Sequence, residues 1–292
     1  MTVNFQYASN GVEHKPAQRD KRDNGPPLAS HGGEYTPAMP SCMFCPNPAN
    51  SKEHLWPEWV HRRKDFGPLK RTQSDDSITV IPHPQITVRA VCKTCNEGWM
   101  SLKLEVPNIP IVGSMMQDIS LPLDRAQQQS VAVWCMKMAF LTDWQRIGGR
   151  HKRFYTRDEA LAFAADQSIP PSTRIWIGHL TSSHLSNDGH EFELLRAGDM
   201  TRIGLSNVAT IVVGYFVAQI VTDHISPGEY PDGHPDFASR AGTWDMKLLQ
   251  IWPVQKESVT WPPRVSFTNG GPEGIAYLLR RWRMGKRVNQ LI

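Results

Sequence analysis

A chain of 292 residues with 40% hydrophobic and 21% charged residues has the composition of a folded globular protein, not of a low-complexity or disordered one. Its length suits two domains better than one, and a formal charge of +4 is too small to name a partner without local clustering. The longest apolar run, from Val208 to Val221, is broken by Thr210, Gly214 and Gln219 and falls short of the ~20 residues that cross a bilayer, so no membrane partner is expected.

Taken in chain order, residues 1–40 are polar and interrupted by Pro16, Pro26, Pro27, Pro37 and Pro40, which predicts an irregular arm. The first residues, MTVNFQYASNG, lack the basic start and apolar stretch of a secretory signal. A reducing, cytoplasmic setting is therefore expected, where paired Cys-x-x-Cys motifs favour metal over disulfides.

Residues 41–106 carry Cys42-x-x-Cys45 and, 46 residues later, Cys92-x-x-Cys95. Each pair presents two thiolates from a tight knuckle, and two knuckles complete a tetrahedral, closed zinc site that holds a fold and leaves no open position for chemistry. Inside the frame stands Glu53-His54-x-x-Pro57, and Asn96 follows the last cysteine directly. Beyond it, Trp99, Leu102 and Val106 are spaced to line one face of a short helix.

After Pro107 and Pro110 comes a larger segment, 107–292, of mixed helix and sheet. Asp124 and Gln127 form a capping box ahead of a helix with Val131, Trp134, Cys135, Met138 and Leu141 on its apolar face, which makes Cys135 a core residue. Thr156 and Glu159 cap a second helix that runs to Asp166. Strand-type runs follow: TRIWIGHL, HEFELLRAG, VATIVVGYFVAQIVTD (two strands, or one bent strand) and MKLLQIWPV. A last helix is predicted over 274–283. The fold class is thus α+β, a small zinc-framed module followed by a larger mixed domain. Asp223, His224, His190, Glu191 and Glu193 have no partner at a telling spacing and are expected to be surface groups.

The order of motifs between residues 41 and 106 resembles the HNH (His-Me finger, ββα-metal) endonuclease family with a zinc-knuckle frame, in the arrangement of the phage recombination endonucleases. The resemblance implies a phosphodiester hydrolase in which His54 is the general base for an attacking water. It implies that Glu53 and Asn96 hold one divalent cation, Mg²⁺ or Mn²⁺, through oxygen ligands, beside a structural zinc on the four cysteines. Adjacent strand residues face opposite ways, so Glu53 and His54 serve one site only where the backbone bends. The family pattern also expects an asparagine five residues before Cys92; Thr87 stands there, with Gln85 as a substitute.

Basic clusters agree with a nucleic-acid partner, DNA first and RNA second. Residues 61–71 include Arg62, Arg63 and Lys64, residues 280–287 include Arg280, Arg281 and Arg283, and Arg89 leads into the second knuckle. Arg89 can reach a phosphate or pack over Trp99. His61 and His83 are reserve ligands. Two other readings stand beside a DNA endonuclease: a zinc-finger protein that binds nucleic acid without cleaving it, and an RNA endonuclease. The segment 107–292 is expected to select targets, bind a protein partner or form a homodimer.

Overall fold

A computed structural model of the chain describes residues 40–72, 78–81, 86–147, 153–195, 201–225 and 246–268. The N-terminal arm, the helix expected at 274–283, and Gln85 and His83 lie outside the described residues.

The first part is built on a two-residue antiparallel pair. Strand β1 (Glu53–His54) faces β4 (Thr87–Val88), with Glu53 opposite Val88 and His54 opposite Thr87. Helix α1 (Glu58–Arg63) starts after Pro57, whose fixed φ and missing N–H suit a helix entry. A hairpin of β2 (Leu69–Thr72) and β3 (Ile78–Ile81) fills the span between α1 and β4. The second knuckle passes through a single turn, α2 (Lys93–Cys95), into α3 (Asn96–Glu105) and α4 (Val106–Met116).

Helix α3 departs from the expected face. Its turns are π-type, and Gly98 (φ −86°, ψ −112°) breaks the regular dihedrals. Wider turns of i→i+5 bonds change the side-chain period. Met100 and Leu104 are buried in place of Leu102 and Val106, which are 67% and 52% exposed, while Trp99 is half-buried.

The second part wraps around one helix. In α5 (Arg125–Ile147) every residue from Val131 to Asp143 is buried, not the single stripe that the spacing predicts. A helix that is apolar all round must be enclosed on every side. The enclosure comes from β6 (Thr173–Leu195) and β7 (Arg202–Ile225), an antiparallel pair that runs from Thr173 opposite Thr222 to Leu195 opposite Arg202, with the register broken between His179 and His184. TRIWIGHL and the first six residues of HEFELLRAG, which are its described part, are therefore one strand, and the long apolar run is one bent strand. Gly204 and His224 would lie ~66 Å apart on a straight strand. Yet a Cβ on Gly204 would stand 2.2 Å from the His224 carbonyl oxygen, so β7 curls until its two ends touch. Gly214 (φ +63°) sits in the bend, against Met116.

Strand β8 (Leu248–Trp252) extends the sheet beside β6, and β5 (Leu121–Asp124) pairs with β9 (Ser258–Trp261). Helix α6 (Arg157–Asp166) carries the capping box read at Thr156 and Glu159. The molecule mixes helix and sheet. Its core is continuous across residue 106: Phe44, between the first two cysteines, lies 5.2, 5.7 and 6.0 Å from the rings of Trp99, Phe140 and Phe163. Among the described residues no helix is long and apolar enough to cross a membrane.

Candidate metal centre and its surroundings

The sulfur atoms of Cys42, Cys45, Cys92 and Cys95 lie within 4.8 Å of one another. Four thiolates at ~2.3 Å from a tetrahedral zinc would be separated by ~3.8 Å, so the cluster matches the size of a closed four-sulfur site. All four cysteines are free thiols. Each knuckle aims a backbone N–H at its own first sulfur, from Phe44 to Cys42 Sγ and from Cys95 to Cys92 Sγ, both at 3.4 Å. The halves are stitched by Met43 N–H to the Ala90 carbonyl at 2.8 Å. Arg157 of α6 donates to the carbonyl of Cys42 and, at 2.6 Å, to that of Cys45. Burial pushes the Cys95 thiol far up, whereas backbone and thiol hydrogen bonds overcome burial at Cys92 and bring it down to about 7. The donors and their spacing fit zinc.

One of the expected site residues, Asn96, is tied across this frame by short links. Lys93 N–H bonds Asn50 Oδ1 at 2.9 Å, and Asn96 Nδ2 donates to Ser51 Oγ at 2.7 Å. The first residue of α3 is thereby tied to the strand entry, and Asn96 Oδ1 is left as a hard oxygen donor. His54 is half-buried and has no hydrogen bond among the described residues. Thr87, which takes the place of the expected asparagine, is exposed directly across the ladder from His54. Side chains opposite one another in a ladder share a face, so Thr87 stands beside the imidazole.

Glu53 points inward. It is 6% exposed, and its Oε1 is 2.9 Å from Lys137 Nζ in the middle of α5. Lys137 reaches Glu105 Oε1 at 2.8 Å, and Glu105 Oε2 also accepts from Trp59 Nε1 at 2.7 Å and Trp134 Nε1 at 3.1 Å. Burial alone would lower the Lys137 pKa, but the two carboxylates outweigh it and raise it above the ordinary lysine value. One oxygen of Glu53 is thus committed to a lysine from the second half of the chain. Only its Oε2 could face a cation.

His61, in the last turn of α1, has a buried Nε2 with no partner among the described residues. Its pKa is lowered by burial and, to a lesser degree, by the charge of His54.

In the first basic cluster Arg62 and Arg63 are exposed, and each lies beside another group of the protein. Arg62 pairs with Glu58 at 2.8 Å, the Arg63 guanidinium lies 2.9–3.1 Å from where a Gly113 Cβ would be, and Lys64 stands 5.5 Å over the Tyr215 ring. Arg89 is exposed, and Trp99 packs on Phe44 and Phe163. Arg280, Arg281 and Arg283 lie outside the described residues.

The residues expected to be lone surface groups are more engaged than their spacing suggested. His224 bonds Glu159 at 2.7 Å and stacks on Phe154 at 4.2 Å, and His190 bonds Asp188 at 2.9 Å. Asp223 is 2% exposed, and neither of its oxygens has a well-formed partner among the described residues. Burial pushes its carboxyl up to about 6, only partly opposed by Ser206, Arg174 and His224. Glu193 is exposed, as expected, and faces Arg202 at 3.5 Å. Cys135 is core, also as expected, with its thiol pushed up by burial.

Two groups escaped the sequence reading. One is Lys137, whose signal was a single charge inside VAVWCMKMAF. The other is a relay in which His179 bonds Ser266 Oγ at 2.7 Å and Asp118 Oδ1 at 2.8 Å. Its members lie on three elements far apart in sequence, and Phe267 N–H already donates to the His179 carbonyl. The relay clasps the 263–268 segment to β6.

Comparison with protein-family models, curated proteins and solved structures finds no match to this chain, so its function is argued from its own residues.

Proposed function

We propose that the protein is a metal-dependent HNH-type endonuclease that hydrolyses phosphodiester bonds in DNA. The observation that carries the reading is the placement of His54. It sits on a two-strand antiparallel pair, framed by a four-thiol cluster and followed by a helix that opens at Asn96 next to the last cysteine.

His54 accepts the proton of the attacking water through a ring nitrogen that no described residue occupies, and an imidazole suits that work near neutral pH. Asn96 Oδ1 and Glu53 Oε2 are the oxygens that would hold a divalent cation, Mg²⁺ or Mn²⁺. The cation, when bound, would stabilise negative charge on the phosphorane and the leaving oxygen. Ser51 orients Asn96, and Lys137 orients Glu53. The zinc on the four thiols is structural.

The experiment is incubation of purified, zinc-loaded protein with plasmid DNA and structured RNA in Mg²⁺ or Mn²⁺, with chelator controls and the His54→Ala variant. DNA nicking that needs the added cation and falls by ~10² or more in His54→Ala is the expected result. Cleavage by His54→Ala at the wild-type rate would end the assignment, and preferential RNA cleavage would move it to the RNA endonuclease.

The Glu53–Lys137 pair favours one second reading. If that pair is purely structural, the frame is a zinc module that binds nucleic acid without cutting it. Metal-independent DNA binding with no cleavage would then be observed.

A further inference from the structure

His179 joins an acid to a serine. Its Nε2 is 2.8 Å from Asp118 Oδ1, and its Nδ1 is 2.7 Å from Ser266 Oγ. A carboxylate only accepts, so in the neutral ring Nε2 carries the proton and Nδ1 accepts from the Ser266 hydroxyl. A hydroxyl within reach of a base that a third group orients has the arrangement of an activated nucleophile. The ring is held from two sides: Tyr215 stacks on it at 5.8 Å and 11°, and Trp261 meets it edge-on at 5.1 Å and 72°. Strand β6 loses its register directly after His179, and such irregularities re-aim side chains beside active sites. His179 is 8% exposed, whereas Ser266 is half-buried and the Asp118 side chain is 48% exposed. The base is therefore sheltered while the hydroxyl remains within reach of solvent.

We propose that Ser266 and His179 form a second active site, a serine esterase for small neutral carboxylic esters, with Asp118 as its positioning residue. Ser266 Oγ bonds the acyl carbon as its proton passes to His179 Nδ1. The ester C–O bond then breaks, and the alcohol leaves with that proton. A water attacks the acyl-serine in turn, giving its proton to Nδ1; the carboxylic acid is released and Ser266 recovers its hydrogen. Asp118 holds the ring in the tautomer that leaves Nδ1 free to accept, and its charge stabilises the imidazolium. The same half-exposed charge repels an anionic phosphodiester, so the electrophile is an uncharged acyl carbonyl and not the backbone of a nucleic acid. The site shares no residue with the proposed nuclease.

The test uses the zinc-loaded full chain, p-nitrophenyl acetate as the ester and a fluorophosphonate as the covalent probe. The probe should place one phosphonyl group per chain on Ser266 of the wild type, read by peptide mass spectrometry, and this readout needs no substitution. The ester should give an initial burst of about one p-nitrophenolate per chain as the acyl-serine forms. Ser266→Ala should lose both the label and the burst, and His179→Gln should slow both by ~10² or more. Asp118→Asn removes the charge with a residue that tolerates the left-handed backbone at this position, φ +63°. Its kcat should fall by ~10-fold or more with KM unchanged, because Asp118 touches the base and not the ester. Absence of an adduct on Ser266 in the wild type, or ester hydrolysis by Ser266→Ala at the wild-type rate, overturns the site. An unchanged kcat in Asp118→Asn overturns the role of Asp118 and with it the three-residue relay.

Discussion

Replacing Lys137 with methionine keeps most of the side-chain volume and removes the ammonium from between two buried carboxylates. The three side chains are 1%, 8% and 13% exposed for Lys137, Glu53 and Glu105, so solvent can compensate little of the loss. Glu105 retains two indole N–H donors, whereas Glu53 loses the partner it has among the described residues. Breaking a buried pair from one side costs about 3–5 kcal/mol, which in a chain of this size lowers the thermal midpoint by about 6–20 °C. Replacing both ends, Lys137→Met with Glu53→Gln, should recover part of that, because the one buried charge then left without its lysine is Glu105, which keeps two indole N–H donors. The folded-state pKa of Lys137 is raised above the ordinary 10.5, so its stabilisation is complete below that pH and is lost only as pH rises through the higher folded value. The deficit of Lys137→Met should therefore be the same at pH 6 and pH 9. Chemical denaturation of the three proteins at both pH values checks this. A single variant within about 1 kcal/mol of wild type would refute the argument that Glu53 depends on Lys137.

The zinc-loaded protein should contain one zinc per chain, and Cys92→Ser should release it and unfold the knuckles, as metal analysis with circular dichroism will show; native protein without zinc would end that reading. Asp223 is a carboxyl raised to about 6 from 3.8, so it lowers stability as pH rises from about 4 to about 6, by about 3 kcal/mol at most. Asp223→Asn should be more stable than wild type at pH 7.5 and lose that part of the pH slope; a less stable variant at pH 7.5 would count against it. Because Arg62 and Arg63 are both exposed, removing them should lower the salt slope of DNA binding by about 2, and an unchanged slope would mean that they form only a solvated face.

The local chemistry was legible where it depends on spacing along the chain. The two Cys-x-x-Cys knuckles, the capping box at Thr156, the core position of Cys135 and the strand runs all follow from residues a few positions apart. What could not be read depends on curvature and on long-range pairing. The period of α3 changes because Gly98 interrupts it, and no pattern within ten residues announces wider turns. The all-round burial of α5 requires β7 to close on itself through Gly204 and Gly214, which shows only when residues 20 apart meet. Lys137 looked like a polar interruption of a helix because the carboxylates that need it are Glu53 and Glu105, on other elements.

That last pairing alters how the two halves of the chain relate. A nuclease module read from residues 41–106 alone would be self-sufficient, with the remainder as an accessory. The structure ties the parts together at three points: Phe44 among the rings of Phe140 and Phe163, Arg157 on the carbonyls of the first knuckle, and Lys137 on Glu53. Each bond runs from the second half to a group within a few residues of the metal frame or of His54. A truncated 41–106 fragment would expose Phe44, leave Glu53 and Glu105 without their lysine, and free the knuckle carbonyls. These losses fall on burial and on charge compensation, the two terms that a small zinc module can least spare. The larger segment is therefore first a scaffold for the cysteine frame and the strand that carries His54.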